Sequence, residues 1–158
     1  MTKVRWFLTT ACPVVLGLTC FAQAVNVLHY NPPAPVRAAI GGMVQVQLPF
    51  SLQEGYHVNS DKPSDAYLIP LKLTWTPGPL QPGEVVYPKP AKHKVQSEPK
   101  PLSVFSGTFE LSAKFSVPAT AVTGPAAMNG KLHYQACNDK MCLAPKDIPV
   151  SVQIDIVK

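Results

Sequence analysis

Apolar and polar residues alternate along much of this chain. In "MVQVQLPFSL", residues 43–52, Val44, Val46, Leu48, Phe50 and Leu52 fall on one side and Gln45, Gln47, Pro49 and Ser51 on the other. "LKLTW" at 71–75 sets Leu71, Leu73 and Trp75 against Lys72 and Thr74. In "TFELSAKFSV", Phe109, Leu111, Ala113, Phe115 and Val117 alternate with Glu110, Ser112, Lys114 and Ser116; in "IPVSVQIDI", Ile148, Val150, Val152, Ile154 and Ile156 share one side. A period of two sends successive side chains to opposite faces of an extended backbone. Each run therefore predicts a strand with one face on a core and one in water. Shorter candidates are "NVLHY" at 26–30, "VVY" at 85–87 and "KLHYQA" at 131–136. Six to eight short strands with turn residues between them predict an all-β chain folded as an antiparallel β-sandwich.

Composition supports this. Eighteen prolines spread through 158 residues argue against long helices, since an interior proline costs a helix about 3 kcal/mol. One segment stands apart: "TPGPLQPGEVVYPKPAKHKVQSEPKP", residues 76–101, is rich in Pro and Lys and holds one short apolar run at Val85–Tyr87. It reads either as a solvated connection or as a lid, because loops of this length in compact domains are often functional.

The N-terminus bears on compartment. "MTKVR" is a short basic region, "WFLTTACPVVLGLTCF" is apolar, and "AQA" at 22–24 has the small-x-small form of a cleavage site. This predicts a signal peptide over 1–24, removed after Ala24, and one domain over 25–158. The apolar run falls short of the roughly 20 residues that span a bilayer and is interrupted by Pro13, so the mature form is not expected to span a membrane. Cys12 and Cys20 leave with the signal, and Cys137 and Cys142 remain in a setting where disulfides persist. Of the formal charge of +5, two units belong to Lys3 and Arg5. The remaining +3, without a basic helix or interleaved aromatics, gives no support for nucleic-acid binding.

The candidate chemistry lies in "HYQACNDKMCLAP", residues 133–145. Asn138 and Asp139 have turn character, and four intervening residues suit a hairpin loop that brings Cys137 and Cys142 face to face. As a staple the pair is poorly placed: closing about six residues yields about 2 kcal/mol in the chain-entropy model, less than a bridge between distant strands. If Leu132, Tyr134 and Ala136 face the core, Cys137 shares the outer face with His133 and Gln135, which predicts a solvent-accessible pair open to another thiol. His133, Cys137, Met141 and Cys142 could also ligate a soft metal. A blue-copper set needs a second histidine near the Cys–Met segment, however, and a tetrahedral zinc set would have to recruit His29, His57 or His93 from afar. No metal or other cofactor is expected. Scattered histidines and carboxylates, and the lack of a nucleophile elbow or a phosphate-binding glycine loop, leave little for hydrolase or nucleotide chemistry. On the residues alone, a redox couple and a permanent structural bond in a non-catalytic binding module both stand.

The segment "YQACNDKMCLAP" resembles the N-terminal periplasmic domain of the thiol:disulfide interchange protein DsbD. "EGYHVNS" at 54–60, "VVYPKP" at 85–90, "LSVFSGTFEL" at 102–111 and "IPV" at 148–150 carry the likeness in order along nearly all of residues 25–158. The resemblance implies an immunoglobulin-like sandwich with the cysteine pair on a hairpin near one end. It implies electron transfer from a membrane-embedded partner domain to oxidised periplasmic thioredoxin-fold proteins, such as disulfide isomerases and cytochrome c maturation factors. Carried over, Cys137 and Cys142 are the catalytic couple, with Cys142 forming the mixed disulfide and Cys137 resolving it. Met141 and Leu143 are candidates for an apolar docking rim, and Lys140 would favour the thiolate while Asp139 opposed it. The family's shielding cap corresponds to part of 87–103, with Tyr87 as the nearest aromatic. Family members continue into a transmembrane and a thioredoxin-like domain; this chain stops at Lys158, so the expectation is a stand-alone domain served by a separate membrane electron donor.

Overall fold

A computed structural model describes residues 26–95 and 99–158. The expected signal peptide, with Cys12 and Cys20, lies outside the described residues. Among the described residues the chain forms twelve strands and no helix: β1 (Leu28–Tyr30), β2 (Val36–Ala39), β3 (Met43–Leu52), β4 (His57–Asn59), β5 (Lys72–Trp75), β6 (Gln81–Val86), β7 (Ala91–His93), β8 (Leu102–Ser106), β9 (Thr108–Ser116), β10 (Gly124–Tyr134), β11 (Ala136–Cys137) and β12 (Lys146–Val157). The four strongest alternating runs are all strands, and "MVQVQLPFSL" has the predicted bounds. Strands are more numerous than the six to eight expected, because several are only two to four residues long.

They form three four-stranded sheets, ordered β1-β3-β9-β6, β2-β12-β10-β5 and β11-β4-β8-β7. The first two are the layers of the sandwich. Val46, Leu48, Phe50, Leu111, Ala113 and Phe115 from one layer join Leu73, Met128, Leu132, Val150, Val152 and Ile154 from the other in one buried cluster. Each buried Val, Leu, Ile, Phe or Met side chain among them contributes about 1.5–3 kcal/mol. Trp75 meets Phe115 edge-on across the layers at 4.9 Å, and the Tyr30 hydroxyl donates to the Ser151 carbonyl at 2.9 Å. The sandwich is therefore the expected one, with one departure from antiparallel pairing among the described residues: β2 runs parallel to β12 at the sheet edge.

The third sheet caps one end and positions the cysteines. It arises where long strands break and change layer. Gly107, at φ 63°, separates β8 from β9 and lets one extended stretch feed two sheets; a side chain there would be disfavoured. Likewise β10 pairs with β12 up to Tyr134↔Lys146, and after Gln135 the chain enters the third sheet as β11. Residues 135–145 thus form the loop of the β10–β12 hairpin, and the cysteines lie inside it. The Pro- and Lys-rich segment is no bare loop either: it supplies β6, paired to β9 through a register shift between Pro82 and Val85, and β7, paired to β8.

Candidate functional site

Cys137 and Cys142 form a disulfide, with Cα atoms 3.9 Å apart. They oppose each other as an antiparallel bridge. Asn138 N–H donates to the Met141 carbonyl at 2.9 Å and Leu143 N–H to the Ala136 carbonyl at 2.8 Å. This is the non-hydrogen-bonded type of cross-strand pair, in which side chains approach most closely. Between the cysteines, Asn138 folds the loop on itself: its Oδ1 accepts from the N–H groups of Lys140 and Met141, both at 2.9 Å. Such a side-chain-closed turn is why "NDKM" can join two facing cysteines. Gln135 steadies the base, its Nε2 donating to the Leu143 carbonyl at 3.1 Å.

The two sulfurs differ in setting. Cys142 is exposed, whereas Cys137 is 6% exposed. This corrects the expectation of a wholly accessible pair. Alternation does turn Cys137 away from the core that Ala136 joins, but that face of the third sheet is covered rather than wet. A cleft of about 140 Å³ lies over it, lined by His57, Asn59, Leu68, Val95, Leu102 and residues 137–142. Nor does Cys137 share its surroundings with His133, whose ring is bonded to Asp147 at 2.6 Å.

Two histidines distant in sequence meet at this cleft. Strand β4 places His57 directly opposite Cys137. Strand β7 brings His93 against it, with ring centroids 4.7 Å apart. His93 Nε2 lies 3.1 Å from a carboxylate oxygen of Asp139, in the loop between the cysteines. His57 is 4% exposed, and its Nε2 is buried with no hydrogen-bond partner among the described residues. Burial first, and then neighbouring His93, pull its pKa below the ordinary value of 6.5, while Asp139 pulls the other way; the neutral imidazole is favoured. Among the described residues no group of three or more His, Cys, Asp or Glu is arranged to hold a metal ion.

Of the expected docking rim, Met141 is 59% exposed and lines the cleft. Leu143 is half-buried against the core and is not part of the cleft lining. Asp139 pairs with His93, while Lys140 is exposed at the cleft. Tyr87 is turned elsewhere: its hydroxyl accepts from the Leu73 N–H at 3.0 Å, tying the 84–90 stretch to β5 rather than covering the cysteines. From the 87–103 region it is Val95 and Leu102 that line the cleft, with His93 reaching it through His57 and Asp139. The sequence marks the cysteines directly and offers His57 and His93 only as distant residues that a zinc set would have to recruit; Asn59 carries no such signal. "EGYHVNS" held the signal for β4, but nothing local relates His57 to a cysteine far along the chain.

A family model, that of the N-terminal domain of the thiol:disulfide interchange protein DsbD, matches residues 26–153. Among solved structures, the N-terminal periplasmic domain of ScsB from Proteus mirabilis is similar at 13% identity and a TM-score of 0.51, over 79% of this chain and 44% of that one. The reduced N-terminal domain of DsbD from Neisseria meningitidis is similar at 19% identity and a TM-score of 0.46, over 69% of this chain and 76% of that one. This chain therefore spans less than half of the ScsB chain it resembles. No curated protein matches by sequence.

Proposed function

This chain belongs to the family of DsbD N-terminal domains, and from that premise we propose that it is a periplasmic thiol:disulfide exchange domain whose Cys137–Cys142 couple passes electrons to oxidised thioredoxin-fold proteins. The observation that carries the reading is the asymmetry within one disulfide: an exposed Cys142 beside a buried Cys137, at a cleft with an exposed methionine on its rim. A structural staple gains nothing from an accessible sulfur, whereas an exchange couple needs one sulfur that a partner can reach.

In the reduced form, the Cys142 thiolate attacks one sulfur of a client disulfide. The client's other sulfur leaves as a thiolate and a mixed disulfide forms. Cys137 then attacks Cys142 Sγ, the bond to the client breaks, and the client departs as a dithiol with two electrons. The pair returns to the disulfide and is reduced again by the dithiol of a membrane-embedded donor. Residues 1–24 direct export and are removed, leaving 25–158 as the working domain. Met141 is the docking contact beside the reactive sulfur, with half-buried Leu143 on its other flank.

The test is the reduction potential of the pair, set by equilibration against glutathione or dithiothreitol buffers. Exchange function requires a value within roughly −180 to −270 mV; a value below about −300 mV would make the bond structural and the chain a non-catalytic sandwich module. The roles separate by substitution: Cys137→Ser accumulates a mixed disulfide with an oxidised thioredoxin-fold partner, and Cys142→Ser traps none. Capture through Cys137 in the second variant would reverse the assignment.

A further inference from the structure

Resting on that exchange reading, we propose that His57 is the general base of the resolving step, taking the proton of the Cys137 thiol as its sulfur attacks and returning it to the departing client sulfur. The need for such a group comes from the asymmetry of the pair. Cys142 is exposed and can exchange its proton with water. Cys137 is 6% exposed, so its thiol has little contact with water to take its proton, and it is the thiolate that attacks a disulfide. A buried resolving thiol is a poor nucleophile unless a base stands beside it.

His57 occupies that position. It is the residue directly opposite Cys137 in the antiparallel β4–β11 register. Directly opposed residues project from the same face of a sheet with Cβ atoms about 4.5–5.5 Å apart, within reach of a ring and a thiol. Both line the one cleft. The Nε2 of His57 is buried and without a partner among the described residues, although buried polar atoms are as a rule satisfied and exceptions often mark chemistry. Burial favours the neutral ring, which is the form that accepts a proton. The other titratable or charged groups about it are His93, in ring contact from β7, and Asp139 and Lys140 in the cysteine loop. Asp139 opposes the depression of the His57 pKa and is bonded to His93, so a carboxylate is at hand to stabilise the imidazolium once it forms.

The step balances as follows. In the mixed disulfide, the Cys137 S–H bond breaks and its proton passes to the imidazole. The Cys137 sulfur forms the bond to Cys142 Sγ, and the Cys142–client bond breaks. The client sulfur leaves with the bonding pair and takes the proton from the imidazolium. His57 ends unchanged, the pair is oxidised by two electrons over the whole cycle, and the client disulfide is reduced.

The experiment follows reaction of the reduced domain, residues 25–158, with glutathione disulfide across pH 5 to 9, timing the first glutathione released (mixed disulfide formed) and the second (Cys137 resolves it). In His57→Gln, resolution is expected to slow on the order of 100-fold near neutral pH, within the usual range for loss of a general base, and to recover only at alkaline pH. Formation through Cys142 stays at the wild-type rate. Imidazole added to His57→Ala restores resolution, and His133→Gln, outside the cleft, resolves as wild type. A His57→Gln domain that resolves at the wild-type rate with an unchanged pH profile overturns the assignment while leaving the exchange reading intact; a wild-type domain that never forms the mixed disulfide overturns both. A readout without substitution at His57 uses proton NMR: its ring signals should move as the Cys137 thiol titrates and stay fixed over that range in Cys137→Ser. Signals indifferent to Cys137 would exclude the coupling.

Discussion

In the body of the sandwich, β3 and β9 pair without interruption from Met43↔Ser116 to Ser51↔Thr108, and β10 and β12 do so from Gly124↔Ile156 to Tyr134↔Lys146. At the cysteine end, β11 contributes two residues, β4 three and β7 three. The body buries one alternating face per strand in a shared apolar cluster. The end packs polar groups, His57, Asn59, Ser60 and Ser103, at 6% exposure or less, and ties them with contacts such as Ser60 Oγ to Ser103 Oγ at 3.1 Å. The body is built for stability, and the end is a polar, short-stranded graft whose geometry the body imposes. The aromatic chain Tyr30–Phe50–Phe109–Phe105 runs from the first layer into the third sheet and is the physical joint between them.

That contrast breaks first at the core. Leu111 is fully buried between the layers, so Leu111→Ala is expected to cost about 2–5 kcal/mol. In urea denaturation followed by both far-UV circular dichroism and a probe at the cysteines, the two signals should shift together, because the third sheet cannot hold its shape without the body. If the cysteine probe kept its midpoint, the end would be an independent unit.

The converse test reduces the disulfide. The bond closes a short loop, so its removal should cost about 2 kcal/mol or less, with the strand signal retained and the loss smaller than that from Leu111→Ala. A reduced domain that unfolds would make the bond a staple.

The same contrast explains what was legible in the sequence. Strands β3, β9 and β12 bury one face each, so "MVQVQLPFSL", "TFELSAKFSV" and "IPVSVQIDI" carry the alternation openly. Strands β4 and β8 are covered on both faces: every residue of His57–Asn59 is buried, as are Leu102 to Phe105. With no wet face there is no alternation to read. Strand β7, "AKH", has too little apolar content to register, and β2 is held by parallel pairing with β12, a partner far along the chain. The cysteine loop announced itself through Cys137, Asn138 and Cys142, because turn chemistry is local. The burial of Cys137 is not visible there, since what covers it comes from His57, Asn59, Leu68, Val95 and Leu102 through tertiary pairing alone. A period-two argument says which way a side chain points and cannot say whether that side is wet.

The smallest expected effect is the one that separates the two regions by pH. His57, at the cysteine end, has its pKa pushed below 6.5 by burial. The unfolded chain therefore binds this proton more readily than the folded one, and its contribution to stability is full above pH 6.5 and falls as the pH drops towards the folded value. Asp147, on the body's outer face, has its pKa held below the ordinary 3.8 by hydrogen bonds from Lys131 first and His133 second, at 2.8 and 2.6 Å. Its contribution is present above pH 3.8 and is lost as the pH falls through the lowered value. Thermal melts should therefore show two acid limbs, one opening below pH 6.5 and one below about pH 4. His57→Gln should flatten the first and leave the second, and Asp147→Asn should do the reverse. Asp147 is exposed, so its limb is the weaker and fades with added salt, whereas the His57 limb, being chiefly a burial effect, persists. A first limb that disappears in salt would mean that charge repulsion from His93, and not burial, keeps His57 neutral.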